Sequence, residues 1–160
     1  MKSNTFIAAA IWLALFAGVI WMADKVLNPN KAEVLGNAKT VVLQRDPSGH
    51  YRAEALINGI KADVLVDTGA TGVAISQKLA DSLGLSSNAA ISTTTANGQA
   101  VSYLLRLASV KLGGIEAKDV AATITPGLEG EALLGMSFLS RMDIRLYKGE
   151  MTIKQVEVDD

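Results

Sequence analysis

Short glycine-bearing turns recur through residues 53–156 and constrain the fold more than any other feature. Asn58-Gly59 separates Ala53-Glu54-Ala55-Leu56-Ile57 from Ala62-Asp63-Val64-Leu65-Val66. Asn-Gly is the strongest short hairpin signal, because both central residues of the favoured tight turn need positive φ. Ala96-Asn97-Gly98 joins Ile91–Thr95 to a strand from Gln99, Gly113-Gly114 joins Val101–Leu112 to Ile115–Thr125, and Lys148-Gly149 joins Asp143–Tyr147 to Met151–Val156. Such punctuation predicts an all-β barrel or sandwich. One or two short helices interrupt it. Ser76 suits an N-cap for a helix carrying Leu79 and Leu83 on one face, with Gly84 as its left-handed stop. Gly135–Arg141 is the second candidate.

The N-terminus follows another rule. From Thr5 to Ala23 the chain carries no charge, and as a helix it spans about 28 Å, close to the roughly 30 Å hydrocarbon core of a bilayer. Trp21 falls near the far end, at headgroup level. A cleaved signal peptide is the competing reading. Against it, the apolar run is long and Trp21 stands where cleavage wants a small residue. The sequence thus divides into a tail (1–4), a single-pass transmembrane anchor (5–23), a linker (24–39) containing Asn28-Pro29-Asn30, and a folded domain (40–158). The simplest topology translocates the domain, making it periplasmic or otherwise extracytoplasmic.

Composition excludes several function classes. Fifteen basic and sixteen acidic side chains give a net charge of −1, so nothing favours nucleic acid. With 49% hydrophobic residues a core forms readily and disorder is not expected. Cysteine is absent, which removes disulfides and thiolate metal sites. His50, the single histidine, sits in the turn-like Pro47-Ser48-Gly49-His50 and cannot build a metal cluster alone. No metal or other cofactor is implied.

The chemistry concentrates at Val64-Leu65-Val66-Asp67-Thr68-Gly69-Ala70-Thr71, where an apolar strand delivers a carboxylate into a Thr-Gly turn. Burying a carboxylate there is costly unless it is hydrogen-bonded or used. Gly69 lets its own N–H approach the acid, and Thr68 adds a hydroxyl that can brace the loop. Alone, Asp-Thr-Gly is also an ordinary strand-ending turn. Ala132-Leu133-Leu134-Gly135 follows at a distance that suits one fold. Gly135–Leu139 is not a nucleophile elbow, since Leu139 replaces the last glycine and no histidine serves it. Gly69-Ala70-Thr71-Gly72 lacks the lysine of a phosphate loop.

These segments together resemble the retroviral-type, clan AA aspartic proteases, in particular their membrane-anchored bacterial members. The resemblance rests on Val66–Thr71, the helix over Ile75–Leu85, Thr95-Ala96-Asn97-Gly98 and Ala132–Leu139, and covers about residues 41–147. It implies a closed retropepsin-like barrel, a hairpin flap with Ala96, Asn97 and Gly98 at its tip, and an obligate homodimer acting on peptide or protein substrates. Asp67 is then catalytic, Thr68, Gly69 and Ala70 complete its loop, and Leu133 and Gly135 border the substrate pocket. Core packing is an equal reading of Leu133. Peptide hydrolysis of this type needs two carboxylates around one water. The chain has no second Asp-(Ser/Thr)-Gly, so a two-fold axis must supply the other Asp67, the pair sharing a proton. Ala70 removes a hydroxyl that two-lobed relatives place there, which implies activity from acid toward neutral pH. Viral members carry Arg-Asn where this chain has Met136-Ser137, a change at the subunit edge. A non-catalytic dimerisation or peptide-binding module tethered to the membrane is the alternative, as is a regulator latent until its anchors cluster.

Overall fold

Turn chemistry is realised where the sequence places it. In the computed structural model, which describes residues 3–27, 39–95 and 98–156, Asn58 and Gly59 have φ of 48° and 85°, and Lys148 and Gly149 have 48° and 84°. Both pairs match the mirror-image turn that a right-twisted hairpin needs. The elements are α1 (Ser3–Leu27), β1 (Thr40–Gln44), β2 (Tyr51–Ile57), β3 (Ile60–Val66), β4 (Val73–Ile75), α2 (Gln77–Ser82), β5 (Ala90–Thr95), β6 (Gly98–Leu112), β7 (Ile115–Ile124), β8 (Ala132–Leu134), α3 (Met136–Leu139), β9 (Met142–Tyr147) and β10 (Glu150–Gln155).

The larger sheet runs β2-β3-β8-β4-β7-β6-β5, and β2 also pairs with β6. That pairing, Leu56↔Lys111 and Ile57↔Val110, closes the ring and leaves β5 outside it. Asn58 continues the closure, its amide donating to the Ser109 carbonyl (2.9 Å) and its Oδ1 accepting from the Ser109 amide (3.0 Å). Closure removes the open edges along which sheets aggregate. A smaller sheet, β1-β10-β9, adds Val41, Leu43, Met151 and Ile153 to the same core. Period-two alternation sets the interior: Ala53, Ala55, Ile57, Ala62, Val64 and Val66 are all buried, brought together by Ala53↔Val64, Ala55↔Ala62 and Ile57↔Ile60.

Helix α2 forms as its sequence requires. The Ser76 hydroxyl accepts from the Leu79 amide (3.2 Å), and Gly84 stops the helix at φ 65°. Helix α3 is shorter than the Gly135–Arg141 segment expected, with Gly135 as N-cap and Phe138 and Leu139 fully buried. It packs on β7 and β9.

Helix α1 contains Phe6–Ala23, a stretch of mean hydropathy 2.3 with every side chain exposed. It is long and apolar enough to cross a bilayer, although a signal sequence meets the same test. Asp24–Leu27, expected at the start of the linker, instead finish this helix. The rest of that linker, residues 28–38, and the end of the domain, 157–158, lie outside the described residues.

Candidate active site

Parallel pairing positions the acidic turn. Val64↔Ala132, Leu65↔Leu133 and Val66↔Leu134 set β3 beside β8, so both strands end at the same level. One continues into Asp67 and the other into Gly135. The Asp67 amide bonds the Leu134 carbonyl (3.1 Å), carrying the pairing one residue further.

The Asp67 carboxylate is half-buried, and its Oδ1 accepts from the Gly69 amide at 2.8 Å. A Cβ at residue 69 would lie 3.1 Å from that same oxygen. Glycine is therefore favoured here by close approach, not by an unusual φ. Ala70 turns the loop, its amide reaching the Asp67 carbonyl at 3.3 Å. Thr68 is exposed, and its hydroxyl has no partner among the described residues.

The start of α3 clamps the far half of the loop. Met136 donates its amide to the Ala70 carbonyl (2.8 Å), and Ser137 donates its own to Thr71 (3.1 Å). The Ser137 hydroxyl accepts from the Val73 amide (2.9 Å) and donates to the Ala121 carbonyl (2.7 Å). One side chain thus joins the exit of the acidic loop, α3 and β7. In the sequence Ser137 stands out as a departure from the viral pattern; what it does depends on where β7 passes, which local sequence does not carry. Gly135 is buried, and a Cβ on it would lie 2.3 Å from the Gly72 carbonyl oxygen and 2.6 Å from that of Ala70. It packs against the acidic loop. Leu133 is half-buried on the strand face opposite the buried Ala132 and Leu134.

Of the expected flap tip, Gly98 opens β6 with φ 105°, whereas Ala96 and Asn97 lie outside the described residues. The arms are regular, from Thr95↔Gly98 to Ala90↔Tyr103. Asp63, Asp119 and Asp143 are all exposed.

The shifted acids lie elsewhere too. The Arg106 guanidinium grips both carboxylate oxygens of Asp119 and holds that group below its ordinary value, with Arg141 contributing charge. Arg141 also caps the Lys118 and Asp119 carbonyls (2.6 and 3.1 Å), tying the chain after α3 to β7 at a residue with φ 51°. Burial raises Asp46. Bonds from the Ser48 hydroxyl and the His50 and Ser48 amides, with the Arg52 charge, outweigh it and hold the acid low. Among the described residues, no group of three or more His, Asp or Glu could hold a metal ion.

The model of the family described as "gag-polyprotein putative aspartyl protease" matches residues 53–141. The fold is similar to the crystal structure of a retropepsin-like aspartic protease from Rickettsia conorii, with a TM-score of 0.65 and 29% identity, covering 72% of this chain and 90% of that one. An uncharacterized protein from Sinorhizobium sp is 33% identical over 125 residues, and another from Rickettsia prowazekii (strain Madrid E) is 34% identical over 104. The matches cover 74% and 63% of this chain but 54% and 45% of those proteins, so it spans about half the length of these relatives.

Proposed function

The chain belongs to the gag-polyprotein aspartyl protease family, and from that premise we propose that it is a membrane-anchored aspartic endopeptidase working as a homodimer. Each copy contributes one Asp67. One carboxylate takes a proton from a water held between the pair as the water oxygen attacks the scissile carbonyl carbon. The other, protonated, gives its proton to the carbonyl oxygen. Collapse of the tetrahedral intermediate breaks the C–N bond, and the departing nitrogen takes up a proton. No cofactor enters these steps.

One observation carries the reading. Asp67 follows β3 on a loop held by six hydrogen bonds, four with Leu134, Met136 and Ser137 and two within the loop itself, yet its carboxylate remains half exposed. A loop held so firmly around an acid that is only half covered suits a group kept for chemistry. The exposed Thr68 hydroxyl stands beside it, free to bond across a two-fold axis and hold the paired acids in register. Leu133, on the outward face of β8, lines an apolar pocket for the residue flanking the cut. The β5–β6 hairpin, with Ala96, Asn97 and Gly98 at its tip, covers the substrate backbone. Residues 5–23 anchor the domain (40–158) in the membrane through the linker, with the domain on the periplasmic side. Anchoring also raises the effective concentration of a second copy.

The test is cleavage of β-casein by the full chain in detergent, from about pH 4 to about pH 7, with Asp67→Asn as control. The variant should lose about a thousandfold in rate. No cleavage by the parent chain at concentrations that drive pairing would favour a binding module, and equal cleavage by both forms would reveal a contaminant.

A further inference from the structure

The β5–β6 hairpin leaves the barrel at one identifiable residue. Strand β6 pairs with β7 from Leu112↔Ile115 back to Tyr103↔Ile124, and there the ladder stops. The next amide of β7, Thr125, turns away and donates to the Ile75 carbonyl of β4 (2.9 Å). From Ser102 onward β6 is paired with β5 alone.

A chain of hydroxyls occupies that point. Ser102 Oγ lies 3.0 Å from Thr125 Oγ1 across the parting strands, and 2.8 Å from Thr93 Oγ1 within the hairpin. Thr93 also donates to the Ala100 carbonyl (3.2 Å), and Thr125 Oγ1 lies 3.3 Å from Thr123 Oγ1. Ser102 is 0% exposed and Thr125 5%. A buried hydroxyl is tolerated only while paired. Swinging the hairpin away from β7 would break the Ser102–Thr125 bond, leaving Ser102 only Thr93 within the hairpin and Thr125 only the longer contact with Thr123, so the pair favours one angle of departure. Thr125 also holds β4, the strand that leaves the Asp67 loop. The same residue therefore references the hairpin to the acid.

We propose that Ser102 and Thr125 form a hydroxyl hinge that fixes the hairpin above the Asp67 loop and acts as a positioning pair for substrate. The inference rests on the proteolytic reading above. It predicts a binding defect with intact chemistry, which a merely structural pair would not give.

The variants are Thr125→Val, which keeps shape and removes the hydroxyl, and Thr125→Ser, which keeps the hydroxyl. Ser102→Ala is the fallback should the valine variant fail to fold. In the full chain in detergent, Thr125→Val should raise amide exchange over residues 98–102 about tenfold and KM for dye-quenched β-casein roughly five- to tenfold, with kcat within about twofold. Thr125→Ser should stay within about twofold on every readout. Unchanged exchange in the valine variant overturns the hinge. Raised exchange with unchanged KM, or equal effects of valine and serine, overturns the positioning role. Should the parent chain cleave nothing, the proteolytic reading falls separately, and the exchange comparison still decides the hinge.

Discussion

Gly135 approaches Gly72 so closely that a Cβ on the former would meet the latter's carbonyl oxygen at 2.3 Å and its carbonyl carbon at 2.9 Å. Its φ of −103° is open to any residue, so the requirement is purely steric. The atoms it would strike are backbone, and the adjacent Met136 and Ser137 amides bond the same loop. Neither side can retreat without breaking the clamp. Gly135→Ala should therefore destabilise the domain by about 2–3 kcal/mol. Gly59→Ala is the contrast: nothing lies within 4 Å, but φ is 85°. Its cost should be nearer 1 kcal/mol, from backbone strain alone. Urea midpoints of both variants check the order.

Ser137→Ala removes a hydroxyl that accepts from Val73 and donates to Ala121. The part-buried Val73 amide loses its partner, while the exposed Ala121 carbonyl can turn to water, so the loss should be about 1–2 kcal/mol by denaturant unfolding. Because Val73 begins the strand after the acidic loop, the same variant should lower kcat on β-casein more than a core variant of equal stability loss, such as Ile124→Val. Matching kcat values in the two would show that Ser137 contributes stability only.

Thr68→Val makes the opposite separation. The hydroxyl is exposed and has no partner among the described residues, so unfolding of the single copy should shift by less than about 0.5 kcal/mol. If the hydroxyl bonds across the dimer axis, self-association should weaken about tenfold, read by sedimentation in detergent. A stability loss with unchanged association would place its role inside the monomer.

Acid stability follows from Asp46 and Asp119. Both carboxyls are held below their ordinary 3.8 in the folded chain. The unfolded chain therefore binds protons first as pH falls. The stability these groups contribute is complete above about 3.8 and is lost progressively as pH drops through their lower folded values. Asp46→Asn keeps an oxygen to accept from His50 and Ser48 but carries no charge. Its unfolding midpoint should fall less steeply with acid than the parent's below about pH 4. A parallel slope would mean that Asp46 is not held low.

Much of this architecture was legible. Each two-residue turn read from the sequence joins a hairpin, and Ser76 and Gly84 bound α2 as their chemistry requires. The bounds and partners of β4 and β8 were not legible, each strand being three residues and too short for an alternation to register. They nevertheless make parallel pairings, β8 with β3, which sets Asp67 beside Gly135, and β4 with β7, and those depend on residues far apart in the chain. The acidic loop could be read because Asp-Thr-Gly is contiguous. The Ser137 clamp and the Ser102–Thr125 pair could not, since each hydroxyl is ordinary in its own segment and acquires its partner only when β7 arrives. The one visible signal was a serine at an inward position of β6, where aliphatic residues otherwise repeat.

The ring closure carries a last consequence. Only Leu56↔Lys111 and Ile57↔Val110 zip β2 to β6, whereas β2 and β3 pair along their whole length. A cylinder with so short a seam should part there first, ahead of global unfolding. Asn58 lengthens the seam with bonds to both the amide and the carbonyl of Ser109. Glycine could make the same turn but would forfeit the side-chain half of that stitch, so the asparagine that bends the first hairpin is also the rivet of the barrel wall.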